Sequence, residues 1–212
     1  IGPDCHVKAF DQAGKLVYTC GKKGGRPIRG AFDEQAMMRM SAVAVDAKGQ
    51  VWVTENWEFP RRVSVWGKDG KLVRDYVGNA HYSGAGTYLH DQDSSLAYSD
   101  AVEMRLDRKT RSAKVTKVLW VPDESKGERF IVGSYSQRFR KEVAGVQREY
   151  MYSRDAGHVI FMEFPDGWRP VAAVCTIGGI LGSTMPAGEW AGVKPADVCF
   201  WNDANRDGIP QR

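Results

Sequence analysis

Two sixteen-residue stretches of the chain, His6–Gly21 and Arg62–Val77, align without a gap at an offset of 56 (63 − 7). Val7, Gly14, Lys15, Leu16 and Val17 recur as Val63, Gly70, Lys71, Leu72 and Val73, and Phe10 recurs as Trp66. Five identities in sixteen positions stand against roughly one expected from composition. Each copy reads as strand, glycine-containing turn, strand: a β-hairpin. A looser third copy runs from Val159–Phe164 through Pro165-Asp-Gly167 to Val171–Cys175. Upstream of the second copy, Val43, Val45, Val51 and Val53 alternate around the turn Asp46–Gly49, with Trp52 on the other face. The two adjoining hairpins predict four antiparallel strands within Met40–Val77. Four strands per repeat is the unit of a β-propeller blade, which buries its faces only against neighbouring blades.

Composition agrees with such a repeat. Glycine supplies 23 of 212 residues, about 11% against a usual ~7%, and there are 7 Trp and 8 Tyr. That is the signature of tight turns between aromatic-rich strands. Hydrophobic residues at 42% and charged residues at 26% exclude a disordered chain. No run approaches the ~20 apolar residues of a membrane-spanning helix. The net charge of +4, from 30 basic and 26 acidic residues, is too balanced to point to nucleic acid. Nucleophile elbows, phosphate-binding loops, dinucleotide fingerprints and HExxH zinc motifs are all absent from the sequence. The chain opens on Ile1, which suggests a processed product or a fragment.

The residues of the best repeat also carry a family resemblance. Ala42-Val-Ala-Val-Asp-Ala-Lys-Gly-Gln-Val-Trp-Val-Thr-Glu55, followed by Arg62-Val-Ser-Val-Trp66 and a glycine-containing turn, resembles an NHL repeat. Lys22–Arg26, Phe59–Trp66, Tyr82–Gly86 and Glu103–Asp107 are similar to segments of long extracellular NHL-type propeller proteins of planctomycete-like bacteria. The resemblance implies an all-β propeller of four-stranded blades, in a secreted or periplasmic protein, and implies no particular activity. The expected division is as follows. Residues 1–21 end one blade, 22–78 form a complete blade, and 79–135 form a blade with a loop insertion. Residues 136–178 form a further blade, and 179–212 start the next. Dividing 212 by 56 gives about 3.8 repeats, an incomplete ring of about four blades where closed rings hold 4–8.

Candidate site residues fall in three groups. Asp203, Asn205 and Asp207, followed by Gly208, place oxygen ligands at positions 1, 3 and 5 of a Ca²⁺-type loop, with the Ile209 carbonyl at position 7. A structural Ca²⁺ ion is one reading of this loop and an Asx-rich turn the other. No organic cofactor is implied. Cys5 and Cys20 sit at opposite ends of the first hairpin. If a four-residue loop Asp11–Gly14 sets the register, cross-strand partners sum to 25, which predicts a Cys5–Cys20 disulfide and an oxidising compartment. Cys175 and Cys199 fall on two late strands, with pairing between them open. The third group is Glu55, Asn56 and Trp57 after a buried strand, with His81, Tyr82, His90, Asp91 and Asp93 in the loop insertion. Such loop side chains are candidate ligand contacts.

The resulting expectation is a non-catalytic scaffold or partner-binding module within a larger secreted or periplasmic protein. Its blade loops would meet a protein or glycan, and the remaining blades would come from the parent chain or another subunit. The alternative is a propeller enzyme, a metal-dependent lactonase-like hydrolase or lyase with Glu55, Asn56 and Glu103 converging on the axis. A carbohydrate-active protein stacking sugars on Trp57, Tyr82 and Tyr88 is the remaining possibility.

Overall fold

The computed structural model describes residues 4–57, 59–78, 87–133, 136–154, 157–178 and 192–210. Its strands form four antiparallel sheets, and none of the sheets closes on itself. The chain is therefore all-β. No helix is long and apolar enough to cross a membrane among the described residues.

The first sheet is a hairpin of β1 (Val7–Phe10) and β2 (Leu16–Cys20). The second is β4 (Met40–Val45), β5 (Val51–Glu55), β6 (Arg62–Trp66) and β7 (Leu72–Val77) in sequential order. These are the four strands that the two adjoining hairpins predict within Met40–Val77. β8 (Thr87–Leu89), β9 (Leu96–Ser99), β10 (Val102–Asp107) and β11 (Ser112–Val118) make the third sheet. A short β3 (Gly30–Ala31), from the segment before β4, is added at the β11 edge. The fourth sheet is β12 (Gln137–Val143), β13 (Val146–Ser153), β14 (His158–Phe164), β15 (Gly167–Thr176) and β16 (Val198–Asn202).

The internal repeat is reproduced in the pairing. Val7, Lys8, Ala9 and Phe10 face Cys20, Thr19, Tyr18 and Leu16. Fifty-six positions later, Val63, Ser64, Val65 and Trp66 face Tyr76, Asp75, Arg74 and Leu72, with the same one-residue bulge before the last pair. The loops also match. Asp11 N–H donates to the Lys15 carbonyl (3.0 Å) and Gly14 N–H to Asp11 (3.0 Å); Gly67 and Lys71 (2.9 Å) and Gly70 and Gly67 (3.0 Å) repeat this. Asp46 builds a third loop of the kind on Gln50 (3.0 Å) and Gly49 (2.9 Å). In all three the glycine has positive φ, 79°, 77° and 77° for Gly14, Gly49 and Gly70, where a Cβ would clash with its own backbone.

Three details either differ from the sequence expectation or settle what it leaves open. The bulge and the wider loop shift the first hairpin, so that Val7 rather than Cys5 stands opposite Cys20. The segment 137–150, whose periodicity fits either a helix or a strand pair, is a hairpin; Ala144 (φ 51°) and Gly145 (φ 76°) form its two-residue turn. The last strand, β16, pairs with β15 as a fifth strand instead of opening a new sheet.

Two cores hold the sheets together. Cys20 of the first hairpin packs with Met37, Val51, Val53 and Trp66, which seats that hairpin on the second sheet. A larger core joins the third and fourth sheets through Tyr98, Val102, Val118, Trp120, Met151, Phe161, Trp168 and Trp201, and Phe59 of the β5–β6 connection reaches into it. Phe130 and Val132 fill this core from a segment outside the sheets. The first hairpin and the second sheet thus share one core, and the third and fourth sheets share the other.

Candidate functional site

Glu55, the last residue of β5, is 3% exposed and lies opposite Arg62, the first of β6. Arg62 Nη1 donates to Glu55 Oε1 (3.2 Å), while Arg26 Nη1 and the Met38 N–H (2.8 Å) donate to Oε2. Arg62 further donates to the Glu34 carbonyl (2.6 Å), the Ala36 carbonyl (3.1 Å) and Asp75 Oδ2 (3.2 Å). Burial lowers the Arg26 pKa and the Glu55 charge opposes that shift. Two cations and two carboxylates balance, which is the condition for burying charge. Both oxygens of Glu55 are therefore committed to holding the loop before β4 against β5 and β6.

The neighbours of Glu55 are similarly occupied. The Asn56 N–H donates to the Arg39 carbonyl (3.1 Å). The Arg39 guanidinium lies 3.9 Å from the Trp57 ring centroid and Phe59 meets that ring edge-on at 5.9 Å. Tyr88 stacks on Tyr98 at 5.2 Å. One face of each aromatic is thus already used within the fold. Glu103 lies on β10 of the third sheet, where Thr116 Oγ1 donates to it (2.7 Å). Each of the two glutamates of the enzyme alternative is thus engaged in its own sheet's contacts.

His90 and Asp91 sit on the seam between the third and fourth sheets. The N–H groups of Gln92 and Asp93 point at His90 Nδ1 (3.2 and 3.1 Å), and Arg140 Nη2 lies 3.1 Å from Nε2. Arg140 also pairs with Glu149 and lies 3.6 Å from Asp91. Next to it, Arg138 is held between the Tyr98 and Trp168 rings, 4.6 and 4.9 Å from their centroids, and pairs with Glu149 (3.3 Å). Asp93 accepts from the Ser95 N–H (2.9 Å) and hydroxyl (2.6 Å); the hydroxyl contact, the first of several, lowers its pKa. The residues predicted as ligand contacts here tie a loop to a sheet. His81 and Tyr82 lie outside the described residues.

The Asp203–Ile209 loop is closed by its own hydrogen bonds. Gly208 N–H donates to Asp203 Oδ1 (3.1 Å), the Asn205 amide to Asp207 Oδ2 (2.8 Å), and Ile209 N–H to Asp207 Oδ1 (2.7 Å). Asp203 Oδ2 is buried without a hydrogen-bond partner. Among the described residues no group of three or more His, Cys, Asp or Glu side chains is placed to hold a metal ion. All four cysteines are free thiols. With Val7 opposite Cys20, the register argument for a Cys5–Cys20 bond does not hold.

Two features were not singled out from the sequence. A cleft of about 390 Å³ lies between the β3–β11 edge and the β14–β15 turn. Its Arg29 is bidentate to Glu128 (2.5 and 2.9 Å) and 4.2 Å from the Trp120 centroid, and its Arg169 donates to Asp166 (2.6 Å). These cations are already matched by carboxylates. The second feature is the face of the fourth sheet turned away from the shared core. Directly paired residues share a face, so Phe200, Val174 and His158 form one row across β16, β15 and β14. Ala172, Ile160 and Tyr152 form the next row, between Asn202 and Gln137, and Met162, Tyr150 and Phe139 the one beyond, next to Arg169. Phe200 is 85% exposed and Val198 66%. A signal for this was present: Val198-Cys-Phe-Trp201 is apolar at every position, the pattern of a strand covered on both faces.

Comparison with protein families, with curated proteins and with solved structures finds no match.

Proposed function

We propose that this chain is a non-catalytic scaffold of the β-propeller type that binds a protein partner through the free face of its fourth sheet. The observation that carries the reading is that face, with Phe200 85% exposed at the edge of a row it shares with Val174, beside Ile160, Met162 and Phe139 of the neighbouring rows. Burying a side chain of this size is favourable by about 1.5–3 kcal/mol, so covering the rows drives association. The occupant is a further β-sheet unit of the same kind. The other face of this sheet is already covered by the third sheet, and the first hairpin is seated in the same manner on the second. The equal registers and loops at an offset of 56 support an NHL-type repeat as the unit. A place in a larger secreted or periplasmic protein belongs to the same proposal.

Sedimentation velocity over a range of concentrations tests it, with a second copy standing in for the further unit. The wild-type chain is expected to associate, and a variant carrying Val198→Asp and Phe200→Asp to remain monomeric with an unchanged melting temperature. Wild-type protein that is monomeric throughout, and indifferent to the substitutions, would oppose the reading.

A further inference from the structure

We propose that Cys175 and Cys199 are the partners of a cross-strand disulfide that pins the edge strand β16 to β15. The two residues are direct partners in the β15–β16 ladder, and their Sγ atoms lie 4.0 Å apart. Residues directly opposed across antiparallel strands have Cα atoms about 4.5–5.5 Å apart, inside the range a disulfide spans. Side-chain rotation then brings the sulfurs to bonding distance while the ladder stays in place. Cys5 and Cys20 are not opposed in the β1–β2 ladder.

The surroundings divide the labour between the two thiols. Cys199 is partly exposed at the rim of the shared core, while Cys175 is buried, its Cβ packed against the backbone of Gly157. A Cβ on Gly157, which has φ +127°, would fall 2.3 Å from Cys175 Cβ, so the backbone leaves the Cys175 side chain little room on that side. Burial, followed by the nearness of Cys199, pushes the Cys175 thiol up to about 12. The accessible Cys199 is therefore the thiol that reacts first.

With a small-molecule disulfide as oxidant, the steps balance. Cys199, as its thiolate, attacks one sulfur of the small disulfide, forming a mixed disulfide and releasing one small thiolate. That thiolate takes the proton from Cys175. Cys175 then attacks the Cys199 sulfur, the protein S–S bond forms, and the second small thiolate leaves and takes up from solvent the proton that Cys199 had released. Two protein S–H bonds are lost, one S–S bond is gained, and the small disulfide is reduced to two thiols. The bond closes the chain between two residues 24 positions apart and fixes the strand that carries Phe200. It does so whether or not that face binds a partner.

The test equilibrates the full chain with oxidised and reduced glutathione, quenches in acid, alkylates free thiols and maps the peptides. The expected result is a Cys175–Cys199 crosslink, with alkylation confined to Cys5 and Cys20. Reduction is expected to lower the melting temperature by about 5–10 °C. That shift should persist in a Cys5→Ser, Cys20→Ser variant and vanish in Cys175→Ser, Cys199→Ser. Four alkylated thiols at an oxidising glutathione ratio would overturn the proposal. So would a glutathione adduct that stays on Cys199, or a crosslink joining a different pair. The map is made on wild-type protein, so it stands even where a serine variant folds poorly.

Discussion

Glu55 and Arg62 face each other where the connection leaves the β5–β6 pair, 3.2 Å apart and both withdrawn from solvent. With Arg26 on the other carboxylate oxygen, one anion holds two buried cations. Removing the shared partner leaves the buried Arg26 without a carboxylate and Arg62 with Asp75 alone. Glu55→Gln is therefore expected to lose about 3–5 kcal/mol in urea unfolding. A loss below about 1 kcal/mol would mean that the carboxylate is not the centre of the network.

Gly14 and Gly70 are equivalent positions of the repeat with nearly equal φ, +79° and +77°, but different surroundings. A Cβ at Gly14 meets nothing within 4 Å, whereas one at Gly70 would fall 2.1 Å from the Thr19 carbonyl oxygen. Gly14→Ala should cost only the left-handed backbone strain, about 1–2 kcal/mol. Gly70→Ala adds the displacement of β2 and should exceed about 3 kcal/mol. Equal costs in denaturant unfolding would show that the first hairpin is not seated on the β6–β7 turn.

The Cys175 thiol sets a pH dependence in the reduced protein. Its pKa rises from 9.0 to about 12, through burial first and Cys199 second. The unfolded chain then releases a proton that the fold retains. The associated stability is full below about pH 9 and is lost as the pH climbs from 9 toward 12. Cys20, raised by burial and then by Asp69, adds to the same slope. Thermal unfolding of Cys175→Ala between pH 9 and 12 should show a shallower decline than wild type. An identical slope would contradict the assignment.

The hydrogen bonds within the Asp203–Ile209 loop predict little response to calcium. Asn205 would have to release Asp207 before both could turn oxygens toward an ion. Millimolar Ca²⁺ is expected to move the melting temperature by less than about 1 °C. A rise of several degrees that Asp203→Ala abolishes would establish a Ca²⁺ loop instead.

Much of the fold was legible because the repeat fixes period and turn together. Val43, Val45, Val51 and Val53 alternate strictly around an Asp–Gly loop and locate two strands, and the repeated hairpin at 62–77 locates two more. The register of the first hairpin shows the limit. A bulge between Ala9 and Phe10 changes the register and leaves no local trace in composition. The pairing of β3 with β11, some 85 residues away, and of β16 with β15 depends on contacts between distant segments. At the candidate site, residue types such as Glu55, His90 and Asp91 looked reactive in isolation. Their partners, Arg26, Arg62 and Arg140, become visible only when strands and loops meet. Val198 and Phe200 carried the opposite lesson: their apolar character was plain, and only the fold shows that nothing in the described chain covers them.

The most direct test of the scaffold reading replaces Phe200 with a benzophenone-bearing phenylalanine and irradiates the protein at concentrations where it associates. Residue 200 is expected to crosslink to apolar strand residues of another β-sheet unit, and the crosslink should disappear when Val198 is changed to Asp. Irradiation that leaves residue 200 unattached, or that joins it only to scattered polar loop residues, would contradict the assignment of this face as the binding surface.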